Sequence, residues 1–327
     1  MSAVPVVDIA PIRSGDAAAI ATLGRTIDEA CRKIGFLVIR GHGVPADLIA
    51  EVRRLSWEFF ALPEAEKEKL RPPKGTMLRG YTPPETNTLA RSRGVETPPD
   101  FRTLLSFGRP EVTGIEYAQY ENAAPFYKPN IWPAKPEGLK LVFTAYFREM
   151  ERLSGEIMRC FAAALNLPIG FFNDKIDNHF AAFHALHYPA LDKPPVEGQL
   201  RAGAHSDFGS LTVLLPPEEG GMGLEVQTPD GEFVPVDPPA DAYVINIGDL
   251  MQQWTNDRWV STVHRVQNPQ GEAAKRARLS LGYFCHPNFD APVAALPGTV
   301  PPGESPRHAP ILAGEYMHKR ISAVRRG

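Results

Sequence analysis

Two of the nine histidines in this chain stand where they can work together with a carboxylate. In His205-Ser206-Asp207 an imidazole and a carboxylate lie two residues apart, and the chain then turns apolar and β-branched through Leu211-Thr212-Val213-Leu214-Leu215. Residues two apart on an extended strand point to the same side, so His205 and Asp207 can aim at a single point. His264, in the run Ser261-Thr262-Val263-His264-Arg265-Val266, offers a third ligand. Two histidines and one carboxylate make a facial triad, which leaves metal positions open and suits non-haem Fe(II) oxygen chemistry. Taken alone, a His-x-Asp pair is more often a salt bridge or a turn. A Ser–His–Asp hydrolase is a poor fit, since adjacent strand residues point opposite ways and no Gly-x-Ser-x-Gly turn occurs.

A receptor for an anion lies further along. Arg278-Leu279-Ser280 opens a strand in which Arg278, Ser280, Gly282 and Phe284 share one face at period two. A guanidinium beside a hydroxyl suits a carboxylate, because Arg binds it through two parallel hydrogen bonds. By the same parity His184, Leu186 and Tyr188 share a face, which lets the Tyr188 phenol join the arginine.

The elements that must hold these groups follow from periodicity. Residues 4–9 predict a short first strand with a proline at its edge, and Ile20, Leu23, Ile27 and Cys31 mark one face of a helix that Gly35 stops. A buried strand at 36–39, a helix at about 45–60 and a charged one at about 63–70 come next. Residues 71–135 read as an irregular connection, and its basic residues Arg91, Arg93 and Arg102 read as a solvated loop, with contact to an anionic substrate as the alternative. Tyr146, Met150, Leu153, Ile157, Phe161 and Leu165 form the buried stripe of a long helix over about 139–165. From Phe180 the period changes to that of strands, at 183–188, 211–215, 224–227, 243–247, 260–266 and 279–284. Close-set strands separated by turns such as Pro-Pro-Glu-Glu-Gly-Gly (216–221), with no helices between them, predict a sandwich or jelly-roll barrel. The tail from Phe289 is proline-rich, then helical over 314–325, and is expected to cover the barrel. Asn246-Ile247-Gly248-Asp249-Leu250 reads as a tight turn closing a strand. His42, His179, His187 and His286 read as structural or exposed.

Composition narrows the function classes. A net charge of −3 gives no cause to expect nucleic-acid or membrane binding, and no run of about 18 apolar residues predicts a membrane span. Three scattered cysteines, with no leader ahead of the first strand, fit a reducing compartment and a cytoplasmic location. The expected partner is a small-molecule substrate.

Taken in order, Val-Pro-Val-Val-Asp-Ile, Gly-Phe-Leu-Val-Ile-Arg-Gly-His-Gly-Val-Pro, Arg79-Gly80-Tyr81, Asn130-Ile131-Trp132-Pro133, His-Ser-Asp-Phe-Gly-Ser-Leu-Thr, Asn-Ile-Gly-Asp-Leu, His264-Arg265-Val266 and Arg-Leu-Ser carry a resemblance over nearly the whole chain. The sequence resembles the isopenicillin N synthase-like branch of the Fe(II)/2-oxoglutarate-dependent dioxygenases. The resemblance implies a mainly β fold with flanking helices, its core a double-stranded β-helix (jelly roll, cupin-like) behind a helical N-terminal region. It divides the chain into an N-terminal region (1–125), a linking helix (126–178), the β-helix core (179–290) and a C-terminal lid (291–327).

The resemblance makes His205, Asp207 and His264 the catalytic iron ligands. It gives Arg278 and Ser280, helped by Tyr188, the distal carboxylate of 2-oxoglutarate, and it places His184 and Phe284 at the substrate. Many members carry an asparagine where this chain has Leu186, so one polar contact near the co-substrate is missing. The implied reaction uses Fe(II), 2-oxoglutarate and O2. It hydroxylates a small organic molecule, with desaturation or cyclisation as variants, and releases succinate and CO2. Two alternatives stay open: an isopenicillin N synthase-type oxidase that uses no 2-oxoglutarate, and a non-catalytic cupin-like binding protein.

Overall fold

The computed structural model describes residues 4–111, 115–191, 193–218 and 223–324. Residues 219–221 of the expected turn and Arg325 of the expected tail helix lie outside that range. Strand β1 (Val6–Asp8) leads to helix α1 (Ala17–Lys33), whose Asp16 cap accepts hydrogen bonds from the Ala18 and Ala19 N–H groups. Gly35, with φ of +63°, turns the chain out of α1 into β2 (Phe36–Arg40). Helices α2 (Ala46–Phe60) and α3 (Glu64–Glu68) follow, then β3 (Gly80–Thr82), β4 (Thr103–Phe107) and the long α4 (Leu139–Ala164). The second half is β5 (Ala182–Tyr188), β6 (Ala202–His205), β7 (Leu211–Leu215), β8 (Leu224–Gln227), β9 (Phe233–Pro235) and β10 (Tyr243–Ile247). It ends with α5 (Asp249–Trp254), β11 (His264–Val266), β12 (Arg278–Cys285), the short β13 (Pro292–Val293) and β14 (Ile311–Leu312), and α6 (Ala313–Val324).

A large sheet runs β1-β2-β10-β7-β12-β5-β4-β3, and a smaller one runs β6-β11-β8-β9. Both faces of the large sheet are covered, so its strands are apolar on both sides and strand parity sorts them into two cores. On β2, Leu37 and Ile39 face the outer core, which α1 completes with Leu23 and Ile27 and α4 with Phe143, Tyr146, Met150 and Phe161. Phe36 and Val38 face inward and meet Leu186, Tyr188, Val226, Val244 and Val266 in the space between the sheets. The jelly-roll core expected from the strand series is present.

Two expectations are corrected. Residues 71–135 are not one irregular connection: β3 and β4 extend the large sheet, with Thr103 opposite His187 and Ser106 opposite His184. The run Thr103-Leu104-Leu105-Ser106-Phe107 is buried throughout. The strand expected over 260–266 is regular only at His264–Val266, and its pairing with β6 shifts register within that segment. Among the described residues, no helix is long and apolar enough to cross a membrane.

Candidate metal centre and active-site cavity

His205 ends β6 and His264 begins β11, and the antiparallel register sets them directly opposite each other. Their rings lie 4.4 Å apart, centroid to centroid. Asp207 is not on the same strand as His205; it lies in the turn that carries the chain across to β7. Strand parity therefore does not aim it. The large sheet does, because Thr212 on β7 and Asn246 on β10 are register partners. Both donate to Asp207 Oδ2, at 2.5 Å and 2.7 Å. With Oδ2 occupied, Oδ1 faces the histidines, 3.7 Å from His205 Nε2 and 3.8 Å from His264 Nε2. One atom from each of the three residues falls within 4.8 Å of the others, and all three residues are buried.

The histidines are oriented by the backbone. His205 Nδ1 donates to the Gly203 carbonyl at 2.8 Å, and His264 Nδ1 donates to the Thr262 carbonyl at 3.0 Å. Those bonds select the tautomer whose Nε2 carries a lone pair toward Asp207. Burial, followed by the neighbouring His264, pushes His205 down to about 3, so the ring is neutral at ordinary pH. Burial works against the Asp207 charge. The two imidazoles and the bonds from Thr212 and Asn246 outweigh it and hold the carboxyl below its usual range. A buried carboxylate with two imidazoles whose Nδ1 atoms are engaged by backbone carbonyls is a donor set for a divalent cation.

The start of α5 clasps this turn. Backbone N–H groups of Gly248, Asp249 and Leu250 donate to the carbonyls of Ser210, Asp207 and Gly209, at 3.0, 2.8 and 3.2 Å. A Cβ on Gly248 would collide with the Gly209 carbonyl, so only glycine allows that approach. Asn246-Ile247-Gly248-Asp249-Leu250 thus does more than end a strand. Asn246 steers the carboxylate, and Gly248 and Asp249 fix the turn that bears it.

Arg278, Ser280 and Tyr188 lie on the inner face, with Arg278 opposite Tyr188 and Ser280 opposite Leu186. The Arg278 guanidinium stands over the Tyr188 ring, 5.2 Å from its centroid, so it is the ring face that this cation meets. Arg201, fully buried, stands 5.6 Å from the same centroid.

A cavity of about 160 Å³ opens on the other side of the triad, lined by His205, Asp207, His184 and Phe284. Its walls include Arg102, Leu104 and Ser106, and the side chains of Met317, Ile321 and Val324 from α6. The tail therefore covers the barrel. His184 Nδ1 lies 2.6 Å from Ser106 Oγ, and its ring meets Phe284 edge-on at 5.0 Å. Two further expectations need correction. Arg102 is a largely buried wall of the cavity, whereas Arg91 pairs on the surface with Glu96. His286 is neither exposed nor merely packed: it is buried and lines the same cavity. His42, His179 and His187 are held by Asp241, Glu151 and Thr103, away from it.

With this geometry in place, the comparison with known proteins is decisive. Residues 4–135 match the profile of the non-haem dioxygenase in morphine synthesis N-terminal region, and residues 177–287 match that of the 2OG-Fe(II) oxygenase superfamily. The chain belongs to the 2OG-Fe(II) oxygenase superfamily. It is 34% identical over 322 residues to the 2-oxoglutarate-Fe(II) type oxidoreductase hxnY of Emericella nidulans, covering 97% of this chain and 88% of that one. It is 35% identical over 325 residues to validamycin A dioxygenase of Streptomyces hygroscopicus subsp. limoneus, covering 97% and 85%. Among solved structures, a full-length Neurospora crassa protein in complex with alpha-KG and thymine superposes with a TM-score of 0.85 at 29% identity, covering 98% of this chain and 96% of that one. The protein is an Fe(II)- and 2-oxoglutarate-dependent dioxygenase that oxidises a small organic molecule, releasing succinate and CO2.

Proposed function

We propose that His205, Asp207 and His264 hold the catalytic Fe(II), that Arg278 and Ser280 receive the distal carboxylate of 2-oxoglutarate beside Tyr188, and that the substrate occupies the cavity at His184 and Phe284. The convergence of three ligand atoms within 4.8 Å, in a buried setting, carries this reading. The donor set suits the ion. Each imidazole has its Nδ1 engaged and its Nε2 available, and Asp207 has Oδ2 engaged and Oδ1 available. Bound there, Fe(II) with 2-oxoglutarate supplies the O2-dependent oxidising chemistry that side chains lack.

The rest falls to the protein. Val226, Val244 and Leu186 line the space between the sheets with apolar surface and keep water from it. Arg278 and Ser280 offer a cation and a hydroxyl on that surface, which suits one end of a dicarboxylate. On the far side, His184 is held by Ser106, and burial followed by the charge of Arg102 pushes it down to about 3. It meets substrate as a neutral polar group. The substrate is a small molecule, a reading supported by the modest cavity and by the Neurospora crassa relative, which was captured with thymine. We place the enzyme in the cytoplasm; three buried, unbridged cysteines support this.

The test is succinate formation from 2-oxoglutarate under air, measured beside O2 uptake. Wild type is expected to form succinate in step with O2 consumed, and His264→Ala to form essentially none. O2 uptake without succinate would instead point to a 2-oxoglutarate-independent oxidase.

A further inference from the structure

The cavity beyond the triad is not evenly polar, and its polar groups are unevenly satisfied. Pairing between β4 and β5 sets Ser106 opposite His184 and Leu104 opposite Leu186. Arg102, one step before β4 and in phase with Leu104 and Ser106, falls on the same inward face and lines the cavity. Its side chain is 12% exposed. Among the described residues its ion-pair partner is Asp100, at 4.0 Å, beyond hydrogen-bonding distance. Asp100 is itself engaged by the N–H groups of Leu89 and Gly203, at 3.1 and 2.8 Å. The buried Nε of Arg102 donates no hydrogen bond among the described residues. A guanidinium has five donors and is costly to bury with donors unused.

The other cation of the cavity differs. Arg79 spends its donors on the carbonyls of Lys128, Leu78 and Phe126, which marks it as structural. Asp207 is the acidic residue of the described lining, and it faces the two histidines. His184 and His286 are both pushed down to about 3, chiefly by burial, so neither adds charge. Much of the remaining wall is apolar, with Phe284, Leu104, Met317 and Ile321. The volume sets a size: a cavity of roughly 150 Å³ holds one benzene ring, and this one is about 160 Å³.

We propose that the substrate is a small carboxylic acid of about one ring in size, its carboxylate received by Arg102 and its apolar body lying between Phe284, Leu104 and the inner face of α6. This rests on the reading of the triad given above and adds the substrate class to it. The carboxylate fills donors that the fold leaves open, and the apolar walls take the rest of the molecule. Ser106, through its bond to His184, positions that imidazole toward the bound acid.

The test is calorimetric titration under nitrogen of protein carrying Fe(II) and 2-oxoglutarate. The probes are phenylacetate, cinnamate and benzoate, with their primary amides and thymine as neutral controls. At least one acid is expected to bind, and its amide to bind roughly tenfold or more weaker, as loss of a charge-assisted hydrogen bond requires. Arg102→Gln should remove the preference for acid over amide, and Arg102→Lys should restore it in part. The visible charge-transfer band of the Fe(II)–2-oxoglutarate complex, retained in both variants, shows that each is folded and has its co-substrate bound. A normal band with no acid bound, with amides or thymine binding as well as acids, or with the preference intact in Arg102→Gln would overturn this inference alone. Absence of the band in wild type would overturn the assignment of the triad, and this inference with it.

Discussion

At the scale of single residues, the two oxygens of Asp207 have different duties. Thr212 and Asn246 hold Oδ2, so the carboxylate presents one oxygen and the geometry of the proposed metal site is set from the large sheet. Partners of this kind typically govern metal affinity by about 10–100-fold. We predict that Asn246→Ala weakens Fe(II) binding within that range while leaving the fold intact, measured by anaerobic metal titration beside circular dichroism. Unchanged affinity would show that Thr212 and the backbone suffice to hold the carboxylate. Asp207→Ala removes the anionic ligand itself and is expected to abolish turnover as well as weaken the metal site. Full activity in that variant would exclude Asp207 as a ligand.

At the scale of elements, two segments hold the site together. The first turn of α5 donates three backbone N–H groups to the turn that carries Asp207, and Gly248 makes the approach possible. Gly248→Ala forces those backbones apart; overpacking of this sort costs about 1–3 kcal/mol. A lower Tm together with weaker metal binding is expected, and a normal Tm would mean that the turn gives way at little cost. Helix α6 is the second segment. Tyr316 donates to Asp249 Oδ2 at 2.8 Å, and Arg320 reaches the same oxygen at 3.2 Å while standing over the Phe208 ring. The tail is thus tied both to the clasp and to the cavity.

Legibility also divides by element. The proposed ligands His205, Asp207 and His264 and the proposed receptor Arg278-x-Ser280 can be picked out in the sequence, because metal and carboxylate chemistry demand particular side chains in β-branched runs. Thr212 and Asn246 cannot be read as partners of Asp207. Their role arises from a pairing between β7 and β10, strands some thirty residues apart in the chain, and a threonine in an apolar strand looks like packing. Strand β4 is hidden by its proline- and arginine-rich flanks, and with it go Ser106 and the inward setting of Arg102. The alternation of Arg102, Leu104 and Ser106 is the signal that could have found them.

At the scale of the whole molecule, the large sheet separates a packed outer core from an inner one that meets the site. Histidines enclosed on both sides of that sheet tie stability to pH, His184 and His286 at the cavity and His187 against Phe60 in the outer core. His184, His187 and His286 are pushed down to about 3, 4 and 3, chiefly by burial. Their folded values lie below the unfolded value of about 6.5, so the unfolded chain binds these protons more readily. Stability is therefore full above pH 6.5 and falls as the pH drops toward 4, by up to about 1.4 kcal/mol per pH unit for each such histidine. Tm is expected to be level between pH 7 and 8 and to decline from 6.5 to 5, with a shallower slope in His187→Gln. A level Tm down to pH 5 would show that these rings take up protons without strain.

The most direct measurement of the central claim is anaerobic absorption spectroscopy of the protein with Fe(II) and 2-oxoglutarate. If His205, Asp207 and His264 hold the iron and Arg278 with Ser280 holds the co-substrate, wild type develops a visible metal-to-ligand charge-transfer band. That band is lost in Asp207→Ala, and in Arg278→Ala it appears only at much higher 2-oxoglutarate concentration. A band of undiminished intensity in Asp207→Ala, or one formed in Arg278→Ala at the same 2-oxoglutarate concentration as in wild type, would contradict this account.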